Sequence, residues 1–220
     1  MGVQADTLSA YEKWAPIYPP VAHNPLMRAE QAAMSRYWPN VAGQRVLDLA
    51  CGSGRYSSIL REQAAEVISL DFCVPMLLQV SGSQRVCASM MQLPFPAETF
   101  DAVISGLAVG HANDVSVWMT EAARVLRPGG TLLYSDFHPA AAQAGLTRSF
   151  KDQHDQTQTV PHRFFDVSTQ LQAVSAAGLR VEIMHEVCVG AELREPFANS
   201  EQFYVRWDGL PIVLVMRVRK

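Results

Sequence analysis

The segment Val46-Leu47-Asp48-Leu49-Ala50-Cys51-Gly52-Ser53-Gly54 constrains the fold more than any other part of the chain. An apolar run leads through an acid to small residues and two glycines, and Arg55-Tyr56-Ser57-Ser58-Ile59-Leu60 then reads as a helix. That order describes a buried strand, a tight turn and a helix whose N-terminus opens onto the turn. Glycine suits such a turn because a side chain would block the approach of a ligand to the backbone. A second apolar run, Val67-Ile68-Ser69-Leu70, ends in another acid, Asp71. An acid about 20 residues beyond a glycine turn is placed to accept hydrogen bonds from a ribose. The two elements together predict a nucleoside pocket.

The charge pattern narrows the nucleoside. Ser57 stands where a dinucleotide fingerprint has its third glycine, and no Lys-Ser or Lys-Thr follows the turn as a P-loop requires. Asp48 lies just ahead of the turn, where it would repel a pyrophosphate but can hold a cation directly or through water. S-adenosylmethionine carries an ammonium, a sulfonium and no phosphate, so the pattern favours it over NAD.

The rest of the chain supplies the elements of one α/β domain. Strands read over 45–50, 66–71, 84–88, 100–106 and 130–136, with helical segments between them. Asn24-Pro25 is an N-cap and first-turn pair for a helix toward Tyr37, with Leu26, Ala29, Ala33 and Tyr37 on one face. A helix over 113–126, started by Asn113 or Asp114, carries Val115, Trp118, Ala122 and Val125 on one stripe and stops at Arg127-Pro128-Gly129. Alternating strands and helices imply a parallel sheet with right-handed crossovers and a ligand beyond the strand C-termini. Residues 137–165 break the pattern and read as a long polar irregular stretch, of the kind that is more often functional than idle. A helix over 168–177 and strands over 180–189 and 211–219 follow.

Composition excludes several classes. With 220 residues and 49% hydrophobic content the chain suits one well-buried domain, residues 1–220, with a sheet covered on both faces. A net charge of −3 leaves no basic field for nucleic acid. No run approaches 18 apolar residues, so no membrane span is expected, and Met1 to Ala10 lack the pattern of a signal peptide. Cys51, Cys73, Cys87 and Cys188 have no C-x-x-C spacing and read as reduced residues of a cytoplasmic protein.

Four motifs in order resemble the class I S-adenosylmethionine-dependent methyltransferases, in particular the small-molecule branch with ubiquinone, menaquinone and biotin-pathway enzymes. They are Asp48 to Gly54; Leu70-Asp71-Phe72 with Pro75-Met76-Leu77; Leu93-Pro94-Phe95 followed by Phe100-Asp101; and Arg124-Val125-Leu126-Arg127-Pro128-Gly129-Gly130. The resemblance spans roughly residues 11 to 136. It implies a doubly wound seven-stranded Rossmann-like sheet, order 3-2-1-4-5-7-6 with strand 7 antiparallel. It also implies S-adenosylmethionine as cofactor and S-adenosylhomocysteine as product. The expected cofactor site comprises Asp48, Ala50, Cys51, Gly52 and Gly54 at the turn, Asp71, Phe72 and Met76 after the second strand, and Ser89 and Met90 beside the adenine. Ser105 and Gly106 are expected to face the methionine moiety. Ser89 stands where the family commonly has an acid; its hydroxyl can accept the adenine amino group without charge.

The segment Tyr11 to Tyr18, with Trp14 between, is similar to one that folds over cofactor and substrate in the family, and aromatic faces suit a sulfonium. An N-terminal cover over 1–40 and an inserted cover over 137–165 are therefore expected. His111, after strand 4, and His138, at the end of strand 5, are the candidate general bases. His154 and His162 are weaker ones, and three histidines without short ligand spacing make a poor metal site. The expected activity is O- or C-methylation of a small molecule. One alternative is carboxyl methylation of a carrier-protein-bound acyl group, for which Arg28, Arg36, Arg148 and Lys151 give only a thin docking patch. The other is a non-catalytic S-adenosylmethionine-binding regulator, which would have a blocked substrate cavity.

Overall fold

The computed structural model describes residues 3–82, 84–190, 205 and 207–220. Seven strands form the main sheet: β1 (Arg45–Leu49), β2 (Glu66–Asp71), β3 (Gln84–Cys87), β4 (Phe100–Gly106), β5 (Leu126–Phe137), β8 (Arg180–Cys188) and β9 (Pro211–Arg219). Their order is β3-β2-β1-β4-β5-β9-β8. The first five run parallel, and β9 pairs antiparallel with both β5 and β8. This is the expected topology, with β8 and β9 in the places of strands 6 and 7.

Alternation along the strands builds two cores. Leu47 and Leu49 of β1, Val103 of β4 and Leu132 and Tyr134 of β5 join one apolar cluster, against α5 (Val115–Val125) and α7 (Val167–Ala176). Val46, Ala102, Ile104 and Leu133 point the other way, against α2 (Pro25–Arg36) and α3 (Arg55–Glu62). Both faces are covered, as a parallel sheet requires. The α5 stripe Val115, Trp118, Ala122 and Val125 is buried, and the Asp114 carboxylate caps it by accepting from the Ser116 amide at 2.7 Å. Asn24 caps α2 through the Met27 amide at 2.9 Å. The deeply buried face of α2 differs from the expected one: Met27, Glu30, Ala33 and Met34 point inward, while Leu26, Ala29 and Tyr37 are half-buried. A buried glutamate is unexpected on an amphipathic helix, and its partners lie in the site described below.

Two of the four motifs hold the frame rather than a ligand. The Arg124 guanidinium pairs with Glu121 at 2.7 Å and donates to the carbonyls of Leu93 and Phe95, while Glu121 accepts from the Leu93 amide. Arg127 pairs with Asp101 at 2.6 Å, and Asp101 also accepts from the Arg45 amide. These contacts tie β1, β4, α5 and β5 together at the end of the sheet opposite the glycine turn.

Residues 137–165 are more regular than expected. They form α6 (Pro139–Gln143) and a hairpin of β6 (Ser149–Lys151) and β7 (Thr157–Thr159). The Asp152 carboxylate nucleates the hairpin turn by accepting from the His154 and Gln156 amides. Each strand has three residues, too few for alternation to stand out in a polar sequence. Among the described residues no helix is long and apolar enough to cross a membrane.

Candidate active site

The turn after β1 is shaped by backbone geometry. Ala50 and Gly52 adopt left-handed φ angles of 56° and 55°, and a Cβ on Gly52 would meet nothing within 4 Å. The open space beside Gly52 is part of a cavity lined by residues of the turn, the ends of β2 and β4, and α1 (Val3–Trp14). Asp71 closes the turn from the end of β2. Its Oδ2 accepts from the Gly52 amide and its Oδ1 from the Cys73 amide, both at 2.8 Å. The carboxyl is buried, which pushes its pKa up against the pull of these amides.

Asp48 is buried beneath the same turn. Its Oδ2 accepts from the Ser57 hydroxyl at 2.5 Å, and Ser57 in turn meets Ser69 Oγ at 2.6 Å. Burial raises the Asp48 pKa to about 6, with the Ser57 bond and Arg55 opposing the rise. Ser57, read in sequence as a missing third glycine, is thus the partner of the motif acid. Both acids line the cavity.

Glu30 organises the next stretch of wall. It is fully buried, pairs with Arg55 at 2.8 Å, and accepts from the Tyr56 hydroxyl at 2.7 Å and the Ser135 hydroxyl at 2.5 Å. Gly106 runs so close to this cluster that a Cβ there would collide with the Tyr56 ring. The glycine at the end of β4 is therefore required for packing as well as for lining the cavity.

Beyond β4 lies a cluster of Tyr11, His111 and Arg148. His111 Nδ1 is 3.1 Å from the Pro161 carbonyl, which can only accept, so Nδ1 carries the proton. Its Nε2 then accepts from the Tyr11 hydroxyl and from Arg148 Nη1, each at 2.9 Å. Burial, followed by the Arg148 and His162 charges, holds the His111 pKa well below its ordinary value, so the ring is neutral. Burial raises that of Tyr11, which stays protonated.

His162 packs edge-on to His111, with centroids 5.1 Å apart, and its Nε2 is 3.3 Å from Asp136 Oδ1. Both side chains are buried, and among the described residues their polar atoms make no hydrogen bond. A Cβ on Gly110 would collide with the His162 ring, and the Arg163 amide donates to Gly110 at 2.7 Å. The 161–163 strand of chain is thereby held against the His111 backbone.

α1 (Val3–Trp14) and the β6–β7 hairpin meet above the cavity. Trp14 stacks on Phe150 with centroids 4.4 Å apart and planes at 4°, and Tyr18 abuts Trp14 edge-on at 4.7 Å. Tyr11 and Tyr18 reach from this cluster into the cavity wall.

The structure brings most of the expected residues to one cavity: Tyr11, Tyr18 and His111 join Asp48, Ala50, Cys51, Gly52, Asp71, Phe72, Met76, Met90 and Gly106. Four others lie elsewhere. Gly54 (φ 88°) caps α3 and packs against Val80, where a Cβ would not fit. Ser89 is exposed, its Oγ accepting from the Met91 amide, and Ala88 and Met90 line the wall instead. Ser105 is fully buried and donates to the Leu49 carbonyl at 2.9 Å, bridging β1 and β4. His138 caps α6 through the Ala140 amide and pairs with Glu186 at 3.2 Å. It is the N-cap of a short helix rather than part of the wall. His154 lies in the exposed hairpin turn. Among the described residues no cluster of three or more His, Cys, Asp or Glu could hold a metal ion. Arg148, Arg55 and Glu30 were missed as site residues; only the position of Arg55 directly after the glycine turn signalled any of them.

Comparison with known proteins agrees with this geometry. Residues 47–134 match the family model described as a methyltransferase domain. A malonyl-[acyl-carrier protein] O-methyltransferase of Enterobacter lignolyticus is 34% identical over 200 residues, covering 87% of this chain and 73% of that protein. A demethylmenaquinone methyltransferase of Corynebacterium urealyticum is 38% identical over 99 residues, 43% of this chain and 42% of that protein. Other curated relatives are likewise covered over less than two thirds of their length, 38% and 53% in two cases. In fold, the chain is similar to an S-adenosylmethionine-dependent methyltransferase from Mesorhizobium loti, with a TM-score of 0.71, 23% identity and coverage of 87% of this chain and 98% of that one. The acid–glycine turn, the topology built around it and a relative matched over most of both lengths converge on one assignment: the chain belongs to the class I S-adenosylmethionine-dependent methyltransferases.

Proposed function

We propose that this chain transfers the methyl group of S-adenosylmethionine to an oxygen or carbon of a small molecule. The observation that carries the reading is a single cavity lined at one end by Asp71 and Gly52 and at the other by a neutral histidine beside a protonated tyrosine. The Asp71 carboxylate, whose oxygens each keep lone-pair capacity, would accept from the ribose hydroxyls. Asp48 would face the ammonium, Met90 and Ala88 the adenine, and the open space at Gly52 leaves the backbone accessible. The cofactor supplies a methyl group already activated on a sulfonium, so the protein's chief task is in-line positioning, worth roughly 7–11 kcal/mol in favourable systems.

His111 would serve as base where the acceptor is a hydroxyl or an enol carbon. The tautomer fixed by Pro161 turns the Nε2 lone pair to the side of Tyr11 and Arg148, the depressed pKa keeps Nε2 unprotonated at neutral pH, and Nε2 would take the acceptor's proton once one of those two donors gives way. The contact of Trp14 with Phe150 supports a cover formed by residues 1–40 and 137–165 together, which would exclude water from the transfer. A cavity reaching past the glycine turn to His111 supports an enzyme over a non-catalytic regulator. The negative net charge supports a small-molecule partner over nucleic acid.

A second reading, methyl esterification of a carrier-borne carboxyl group, is favoured by the similarity to the Enterobacter lignolyticus protein; a carboxylate acceptor needs no base. Incubation with methyl-labelled S-adenosylmethionine and fractionated lysate tests both. Label in the small-molecule fraction supports the first reading, and label in the protein fraction as a base-labile ester supports the second. Label in RNA would contradict both.

A further inference from the structure

Among the described residues, Arg148 is the cavity-wall cation that the transfer described above leaves without a task. It lies between α6 and β6 and is half-buried. Its Nη1 donates to the Leu107 carbonyl and to His111 Nε2, both at 2.9 Å. Its Nε and Nη2 have no acceptor, and no carboxylate pairs with it, among the described residues. Three other partly buried arginines are neutralised, Arg55 by Glu30 at 2.8 Å, Arg124 by Glu121 at 2.7 Å and Arg217 by Glu182 at 2.9 Å. Arg148 instead has two aromatic faces, Tyr11 at 5.7 Å and Phe137 at 5.4 Å from the guanidinium carbon. Those faces fix its position without cancelling its charge. The remaining edge is a planar two-donor fork, the shape that matches carboxylate or phosphate oxygens.

The cofactor does not account for this fork. Its ammonium would face Asp48, and its carboxylate would have the N-terminus of α3, where the first amides lack intrahelical acceptors and Arg55 and Ser53 line the wall. Arg148 sits with Leu107 and His111, on the side where the acceptor must enter. We propose that the methyl acceptor carries an oxyanion, a carboxylate or a phosphate, which binds the free edge of Arg148. The inference rests on the methyltransferase reading and names the substrate class for the same site. It also has a consequence for the base. Arg148 shares the Nε2 lone pair of His111 with the Tyr11 hydroxyl, so an oxyanion that draws the guanidinium toward itself leaves that lone pair to Tyr11 alone.

The test is calorimetric titration of the protein saturated with S-adenosylhomocysteine, using malonate and inorganic phosphate as probes and neutral malonamide as control. Saturable binding of either anion, and not of malonamide, is expected. It should weaken about tenfold or more in Arg148→Met and less in Arg148→Lys, which keeps the charge but not the fork. S-adenosylhomocysteine affinity should stay within about twofold in both variants, which also shows that they fold. Preference for malonate assigns a carboxylate, and preference for phosphate assigns a phosphate. Absence of anion binding in the wild type, equal binding in Arg148→Met, or loss of S-adenosylhomocysteine affinity in Arg148→Met would each overturn the proposal, the last by giving Arg148 to the cofactor carboxylate. A wild-type protein that does not bind S-adenosylhomocysteine would overturn the methyltransferase reading itself, a different result from bound product without an anion response.

Discussion

The Asp71 carboxylate accepts from the Gly52 amide at 2.8 Å, so the acid at the end of β2 fastens the turn at the end of β1. One side chain therefore shapes the pocket and, in the proposed function, would also bind its ligand. Those two roles separate in a conservative variant.

Asp71→Asn keeps the size of the side chain but has one acceptor oxygen and no charge. It should weaken S-adenosylhomocysteine binding by tenfold or more, since hydrogen bonds to a charged group are worth roughly 1.5–3 kcal/mol each. It should also lower stability by about 1–3 kcal/mol, because one of the amides at Gly52 and Cys73 loses its partner. Isothermal titration and urea unfolding on the same sample check both effects. Unchanged affinity would remove Asp71 from the ribose site.

Asp48 sets a pH dependence. Its carboxyl has a pKa of about 6 in the fold against 3.8 ordinarily. A raised carboxyl contributes stability that is fully present below pH 3.8 and lost as pH rises through 6, about 3 kcal/mol in all. A bound ammonium would reverse the shift, so S-adenosylhomocysteine should bind more tightly above pH 6 than at pH 5, with proton release on binding. Titration in buffers of different ionisation enthalpy measures that release, and Asp48→Asn should abolish it. Proton uptake would contradict the assignment.

His111 has the opposite sign. Its depressed pKa contributes stability that is present above about 6.5 and lost as pH falls toward the lowered folded value. For a hydroxyl or enol acceptor, His111→Ala should lower turnover by about 10²–10⁴ with S-adenosylhomocysteine affinity nearly unchanged. His138→Ala should leave turnover close to normal and cost only the α6 cap, roughly 0.5–2 kcal/mol. Normal turnover in His111→Ala would point to a carboxylate acceptor, which needs no base.

The buried pair of Asp136 and His162 should behave as a unit. Removing one partner leaves the other's buried polar atoms against apolar side chains without the 3.3 Å contact between them, so Asp136→Ala or His162→Ala should cost roughly 1–3 kcal/mol. The apolar double variant Asp136→Leu/His162→Phe should recover much of that loss. Denaturant melts of the three variants decide the matter, and simple additivity would show that the two groups are uncoupled.

The sheet was legible in sequence because apolar runs bounded by acids and glycines fall at regular spacing, and Asp48, Asp71 and Gly52 are local to those boundaries. Residues whose role depends on a distant partner were not. Glu30 carries no signal in sequence, because its partners Arg55 and Tyr56 of α3 and Ser135 of β5 meet it only in the fold. Arg148 lies in a polar stretch with no periodicity, and its closeness to His111 arises only when the hairpin folds back over β4. His138 shows the converse error. It follows the C-terminal end of a core strand, but the Pro139 helix turns its ring toward its own backbone and Glu186. Ser105 likewise follows the pattern of a site residue, but faces β1.

The most direct test of the nucleoside assignment is a side-by-side calorimetric titration with S-adenosylmethionine, S-adenosylhomocysteine and NAD. Saturable binding of the first two and none of NAD is the result expected, because Asp48 beneath the glycine turn suits an ammonium and opposes a pyrophosphate. Binding of NAD in preference to both would contradict the account.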